Sequence, residues 1–351
     1  MAQSSHIPSL DGLRAVSIML VFIAHAGFGD IVPGGFGVTI FFFLSGYLIT
    51  TLLTREWDRY GSISQPAFYL RRIVRLGPPI LLVLAVSFLL SAADLAEGKP
   101  DLMTTISQLL FFYNYYALYA PDSSTVDGLG ILWSLAVEEH FYLIWPTLFL
   151  MLADRANAVR YLIGMLVAVA VWRAIRYYGF GASEWEIYVS TDTRLDSLLY
   201  GCLLAILAWR GRTDSLFGTA LPTRLIWLGG ALVVLLACFV IRDDAFRSIL
   251  RYSLQGLALM PIFHYAVTRP SDIWFKPLNW TFMRRIGQWS FTIYLIHFVI
   301  IKALIYNGIA SYREPLLILL AGALSMIFAA ATYRWLEKPL HPLRRRLTGH
   351  G

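Results

Sequence analysis

Two histidines, a carboxylate and several arginines stand in stretches otherwise built of apolar side chains. Arg14 and His25 are eleven residues apart. On an α-helix, at ~100° per residue, that interval returns to nearly the same face and separates the two by ~16 Å. A guanidinium holds anions and an imidazole titrates close to neutral pH, so this spacing suits an anion anchor at one level and a proton acceptor at another. Each residue alone has a plainer reading, the histidine as a hydrogen-bonded core group and the arginine as a topology anchor. An ionisable group at mid-bilayer costs ~2.5 to 3.5 kcal/mol on insertion scales, which makes each one a candidate.

Other polar residues repeat at helical intervals. Ser134, Glu138 and Tyr142 recur every four residues on one face. A carboxylate inside a membrane helix calls for a cation or histidine partner, and Arg194 offers a purely structural one. Glu139 lies ~100° away and is the alternative carboxylate. Arg194 and Asp196 open a later apolar stretch, and Ser290, Tyr294 and His297 share a face of another. Two histidines and a carboxylate from separate helices suggest a lined cavity, although Tyr–His pairs also serve as interhelical glue. Arg71, Arg72 and Arg75 follow Phe68 and Tyr69 in a cationic segment. Such a segment binds lipid headgroups or forks its guanidiniums onto the phosphates of a cofactor.

The elements that position these residues must lie in a membrane. Of the 351 residues 58% are hydrophobic and 15% charged, with a mean hydropathy of +0.61. A soluble domain carries about a quarter charged residues, so this composition excludes one. The net charge of +7 comes from 29 basic and 22 acidic residues interspersed between greasy segments. It reads as a topology signal and not as a nucleic-acid surface. Cys202 and Cys238 lie within apolar stretches, and no P-loop, dinucleotide fingerprint or metal-ligand spacing is present.

The pattern predicts an all-α, polytopic bundle of about ten spans: 14–28, 36–54, 76–93, 132–153, 161–178, 194–209, 225–241, 252–268, 287–305 and 315–334. Alternate connections then hold eighteen Lys and Arg on one side and five on the other, placing both termini in the cytoplasm. Making 102–120 an eleventh span would destroy that asymmetry, so it is expected on or partly in the outer face. Ala24-His25-Ala26 imitates a leader cleavage site, but no basic region precedes Arg14 and another span follows, so no cleavage is expected. The expectation is a single multi-pass domain over 1–351 in the inner (plasma) membrane, with no fused soluble domain.

The strings SLDGLRAVSIMLVFIAHAGF, GGFGVTIFFFLSGYLITTLL, FYLRRIVRLGPP, LWSLAVEEHFYLIWP, TRLDSLLYGCLLA, GQWSFTIYLIHF and YRWLEKPL, in this order, resemble the membrane-bound acyltransferase 3 family. The likeness runs along essentially the whole chain, and Arg14 with His25 matches that family's arginine-ten-residues-histidine hallmark. The resemblance implies transfer of an acyl group, foremost acetyl, from acyl-CoA to a carbohydrate acceptor, a hydroxyl of a cell-envelope or exported polysaccharide. Coenzyme A phosphates would meet Arg14, Arg71, Arg72 and Arg75. His25 would act as general base or acyl carrier, oriented by Glu138, with Ser134, Arg194, Asp196, Tyr294 and His297 in support. No metal is implied. Members with a fused extracytoplasmic hydrolase-like domain complete transfer through it, which leaves open whether this chain works alone or with a separate extracytoplasmic partner.

Two rivals stand beside this reading. A transporter or flippase would use the same ionisable residues as a relay, but the two halves show no matching repeat pattern. An acyltransferase acting on a small secondary metabolite would differ in the face at which the acceptor arrives. The acceptor sugar, acyl length and oligomeric state are not written in any motif.

Overall fold

The computed structural model describes residues 7–120, 122–153 and 156–347. Both terminal ends assigned above to the cytoplasm, and Asp154 and Arg155 of the charge count, lie outside the described residues. Ten long helices occur among the described residues: α1 Pro8–Ile23, α2 Gly34–Tyr60, α3 Gln65–Ala92, α4 Trp133–Ala153, α5 Ala158–Ala174, α6 Thr191–Trp209, α7 Leu221–Val240, α8 Arg251–Thr268, α9 Thr281–Tyr306 and α10 Pro315–Thr332. No strand occurs among these residues.

Eight helical segments among the described residues are long and apolar enough to cross a membrane, against the ten spans expected from sequence. The two that fall short are α6 and α8. Asp192, Arg194 and Asp196 open α6, and Arg251, Gln255 and His264 punctuate α8. Arg194, Asp196, Gln255 and His264 are buried within the protein. A helix enclosed by other helices need not present an apolar surface to lipid, which accounts for the polar residues these two carry.

Several helix ends differ from the expected bounds, the start of the third span by most. The third span was expected to begin at Leu76, yet α3 starts at Gln65 and runs through Pro78 and Pro79. Pro66 at the first turn is pre-set for helix, and the charged stretch that follows hides the helix from an apolar scan. Residues 102–120 form two short helices, Leu102–Leu109 and Tyr113–Tyr119, interrupted where Phe111 adopts φ +59°. The longer, of eight residues, covers only ~12 Å, less than half of a ~30 Å hydrocarbon core. Neither short helix is long enough to cross that core, and 102–120 is not among the eight apolar segments above.

The chain divides into two compact units. The first comprises Met1–Ser17, Gly35–Ile63 and Ala136–Arg284. Within it α5 and α8 pack on α6, and α7 packs on α8. Glycines let α2 and α6 touch backbone to backbone. A β-carbon on Gly46 would come within 2.0 Å of the Leu198 carbonyl oxygen, and one on Gly201 within 2.1 Å of that of Phe43. The Cys202 thiol also faces the Gly46 carbonyl at 3.6 Å.

The second unit comprises Ile18–Gly34, Ser64–Leu135 and Arg285–Gly351. Its apolar core joins Ala26 to Ile301 and Leu304 of α9 and to Leu317 and Ala321 of α10. Thr292 donates to Glu337 at 2.8 Å, tying α9 to the turn that follows α10. The connection between α3 and α4 is held by Asp101, which accepts from the amides of Thr104 and Ser124, both at 2.8 Å.

Candidate active site

His25 does not sit on a regular α-helix. Past Ile23 the chain enters a π-helical turn, Ala24–Phe28, in which Gly27 takes φ +108°. Such wide turns leave carbonyls without helical donors, and here one residue supplies them. The Arg313 backbone amide donates to Ala26 at 2.9 Å, and its Nε donates to the Gly27 carbonyl at 2.8 Å. Its terminal nitrogen reaches Asp30 at 2.8 Å. Arg313 itself has φ +69°, an uncommon conformation for a residue with a side chain, held by these contacts.

This turn brings the two predicted histidines together. His25 Nδ1 lies 2.9 Å from His297 Nε2, with ring planes only 13° apart. The Phe298 ring stacks on His25 at a centroid distance of 4.2 Å. His25 is half-buried, whereas His297 is completely buried. One turn back on α9, Tyr294 projects its hydroxyl to Ser134 at 2.6 Å and donates to the Ile131 carbonyl at 3.0 Å. Ser134 Oγ also lies 3.1 Å from that carbonyl. Four of the sequence candidates, His25, Ser134, Tyr294 and His297, thus form two touching pairs joined through α9. A half-buried imidazole supported by buried polar groups is suited to accept a proton from a hydroxyl.

The other candidates are held differently. In the first unit, one carboxylate oxygen of Glu138 accepts from both Ser45 and Tyr142. The Tyr142 contact realises the four-residue spacing. Arg194 does not bridge to Glu138. Its guanidinium lies 3.9 Å from the Tyr252 ring centroid and 5.1 Å from that of Tyr188, and it donates to Thr39 at 3.1 Å. Aromatic faces therefore offset much of the cost of burying this cation. Arg14 pairs with Asp11 one turn earlier on α1, at 3.3 Å.

Asp196 is in a wholly buried salt bridge, 2.7 Å from Arg173, with both side chains 0% exposed. Arg173 also donates to the Thr193 and Ile249 carbonyls, each at 2.9 Å. Ser253 donates to Asp196 at 2.7 Å. This arrangement makes Asp196 a strut between helices of the first unit. The arginine triplet in the second unit is split in environment: Arg75 is exposed, Arg71 donates to the Leu347 carbonyl at 2.7 Å, and Arg72 is buried beside Phe68. No trio of His, Cys, Asp or Glu able to hold a metal ion occurs among the described residues.

Sequence reasoning missed Arg173 and Arg313. The signal for Arg173 was present, as the one cation within an otherwise apolar stretch from 161 to 175. Arg313 offered only a loop charge, and its part in the His25 turn depends on backbone geometry.

A family model described as an acyltransferase domain, of the acyltransferase 3 type, matches residues 7–334. Peptidoglycan O-acetyltransferase OatA of Listeria monocytogenes is 30% identical over 358 residues, covering 95% of this chain and 56% of that protein. O-acetyltransferase OatA of Staphylococcus aureus is 29% identical, covering 95% of this chain and 57% of its own length. A putative O-acetyltransferase of Staphylococcus aureus strain COL gives the same identity and coverage. The chain thus spans somewhat more than half the length of these curated relatives.

Proposed function

The chain belongs to the acyltransferase 3 family, and on that premise we propose that it moves an acetyl group from acetyl-CoA to a sugar hydroxyl of a cell-envelope polysaccharide, with His25 as general base. The observation that carries this reading is His25 itself, half-buried on a π turn and backed by His297 at 2.9 Å. Its relatives' names, peptidoglycan O-acetyltransferase and O-acetyltransferase, point to an ester on an envelope glycan.

In this mechanism the acceptor O–H gives its proton to His25 as the oxygen attacks the thioester carbonyl. The new C–O ester bond forms, the C–S bond breaks, and the sulfur departs as coenzyme A, which takes up the proton. Base catalysis of this kind contributes typically 10²- to 10⁴-fold. Arg71 and Arg75 on α3 offer guanidiniums for the coenzyme A phosphates, whose geometry they match. Arg14 and Glu138 belong to the first unit and enter only as the family resemblance implies. The multi-pass chain would lie in the plasma membrane with α6 and α8 completing ten spans and both termini in the cytoplasm, an orientation supported by the Lys and Arg asymmetry.

The test is label transfer in sealed membrane vesicles bearing the full chain, with [14C]acetyl-CoA supplied on one face and base-labile ester recovered from envelope polysaccharide. His25→Ala should abolish transfer while the protein still inserts. Near-normal labelling by that variant would remove His25 from the chemistry, and substrate movement without any covalent label would point to transport instead.

A further inference from the structure

Hydrogen-bond polarity around His297 fixes where the protons of the histidine pair must sit. His297 Nδ1 lies 2.8 Å from the Tyr294 carbonyl oxygen and 3.1 Å from that of Ile293. A carbonyl can only accept, so Nδ1 carries the hydrogen. A neutral imidazole has a single N–H, which leaves a lone pair on His297 Nε2. That atom faces His25 Nδ1 at 2.9 Å. Two lone pairs make no hydrogen bond, hence His25 Nδ1 is the donor. In neutral His25 the remaining nitrogen, Nε2, is then the bare, basic one.

We infer that His297 is a positioning residue, clamped to two carbonyls of its own helix, that holds His25 in the Nδ1–H tautomer and so makes Nε2 the atom that takes the acceptor's proton. The inference deepens the reading of His25 as base and rests on it. Its geometry is over-determined. Phe298 stacks on His25 at 19° between planes, and Phe22 meets His297 at 6.1 Å. The Tyr294 hydroxyl, anchored to Ser134 and Ile131, steadies the residue whose carbonyl orients His297. When Nε2 gains a proton, Nδ1 keeps its hydrogen and its bond to His297. The pair therefore passes from neutral to cationic without rearranging, and the bond strengthens as the donor becomes charged.

Two substitutions separate this role from packing. His297→Gln carries an amide oxygen that can accept from His25 Nδ1–H near the position of the lost Nε2. His297→Met fills comparable space but offers only a weak thioether acceptor. In vesicles with [14C]acetyl-CoA, the Gln variant should keep its maximal rate within about threefold of the parent. The Met variant should lose about 10- to 100-fold, the span expected for one lost buried hydrogen bond, with KM for acetyl-CoA unchanged. Equal rates for the two variants, or a Met defect confined to KM, would overturn the assignment.

Side-chain ¹⁵N shifts of His25 in the purified full chain supply a readout independent of turnover. The Nδ1–H pattern is expected in the parent and its loss in the Met variant; an Nε2–H pattern in the parent would refute the inference. If the parent shows the Nδ1–H pattern but transfers no label, the tautomer assignment stands and the proposed activity fails.

Discussion

Replacing Gly27 by alanine loads strain onto the turn that carries His25, and its size can be worked out from the local geometry. Gly27 has φ +108°, and a new β-carbon would meet Tyr312 Cβ at 2.9 Å, Arg313 Cγ at 3.1 Å and the Arg313 amide nitrogen at 3.2 Å. The positive φ costs roughly 1 to 2 kcal/mol for an L side chain, and overpacking adds about 1 to 3 kcal/mol. The total, about 2 to 5 kcal/mol, can be relieved by rewinding the turn, which displaces His25 from His297. At ~1.4 kcal/mol per tenfold, the lower figure already predicts a ~30-fold fall in acetyl transfer. Gly29→Ala is the matched control, since Gly29 has φ −66° and its nearest neighbour would stand 3.5 Å away. Labelled acetyl transfer in vesicles, read beside thermal unfolding in nanodiscs, measures both variants. Gly27→Ala working within threefold of the parent at an unchanged melting temperature would refute the argument.

Two further outcomes follow from other parts of the structure. Arg173→Leu leaves Asp196 buried without its cation, hydrogen-bonded by the Ser253 and Ser197 hydroxyls, and should cost about 3 to 5 kcal/mol, whereas Arg173→Leu with Asp196→Leu should recover much of that loss; a melting temperature unchanged in the single variant would contradict the strut. Asp101 is held down to about 2 by the Thr104 hydroxyl and by the Thr104 and Ser124 amides. Because the folded value is depressed, the stabilisation is complete above the unfolded carboxylate's ~3.9 and disappears as pH falls through about 2. Limited proteolysis should therefore find the 94–128 connection resistant at pH 5 and increasingly cleaved towards pH 2 with an acid-active protease, with Asp101→Ala cleaved at both; equal protection of parent and variant would exclude the cap.

Much of this was legible residue by residue, because bilayer cost makes polar groups in apolar runs conspicuous. His25, Ser134, Tyr294 and His297 were each visible, and the Glu138–Tyr142 contact follows from four-residue spacing. Their meeting was not visible: Ser134 and Tyr294 are 160 positions apart, and no local pattern encodes that distance. The π turn was also hidden, since it depends on Gly27 and on a distant arginine. The start of α3 was misplaced because charged Arg71, Arg72 and Arg75 mask a helical segment that continues into apolar sequence. Conversely, α6 and α8 are helices where the apolar stretches 194–209 and 252–268 were expected, although they are too polar to qualify as spans on composition.

The bare contact at Gly46 and Gly201 has a mechanical corollary. With no side chain between them to flex, α2 and α6 are locked like meshed gears, and sliding either along the other would drive a carbonyl into the opposing α-carbon. Any breathing of the first unit during a catalytic cycle must therefore carry these two helices together as a single stiff lever.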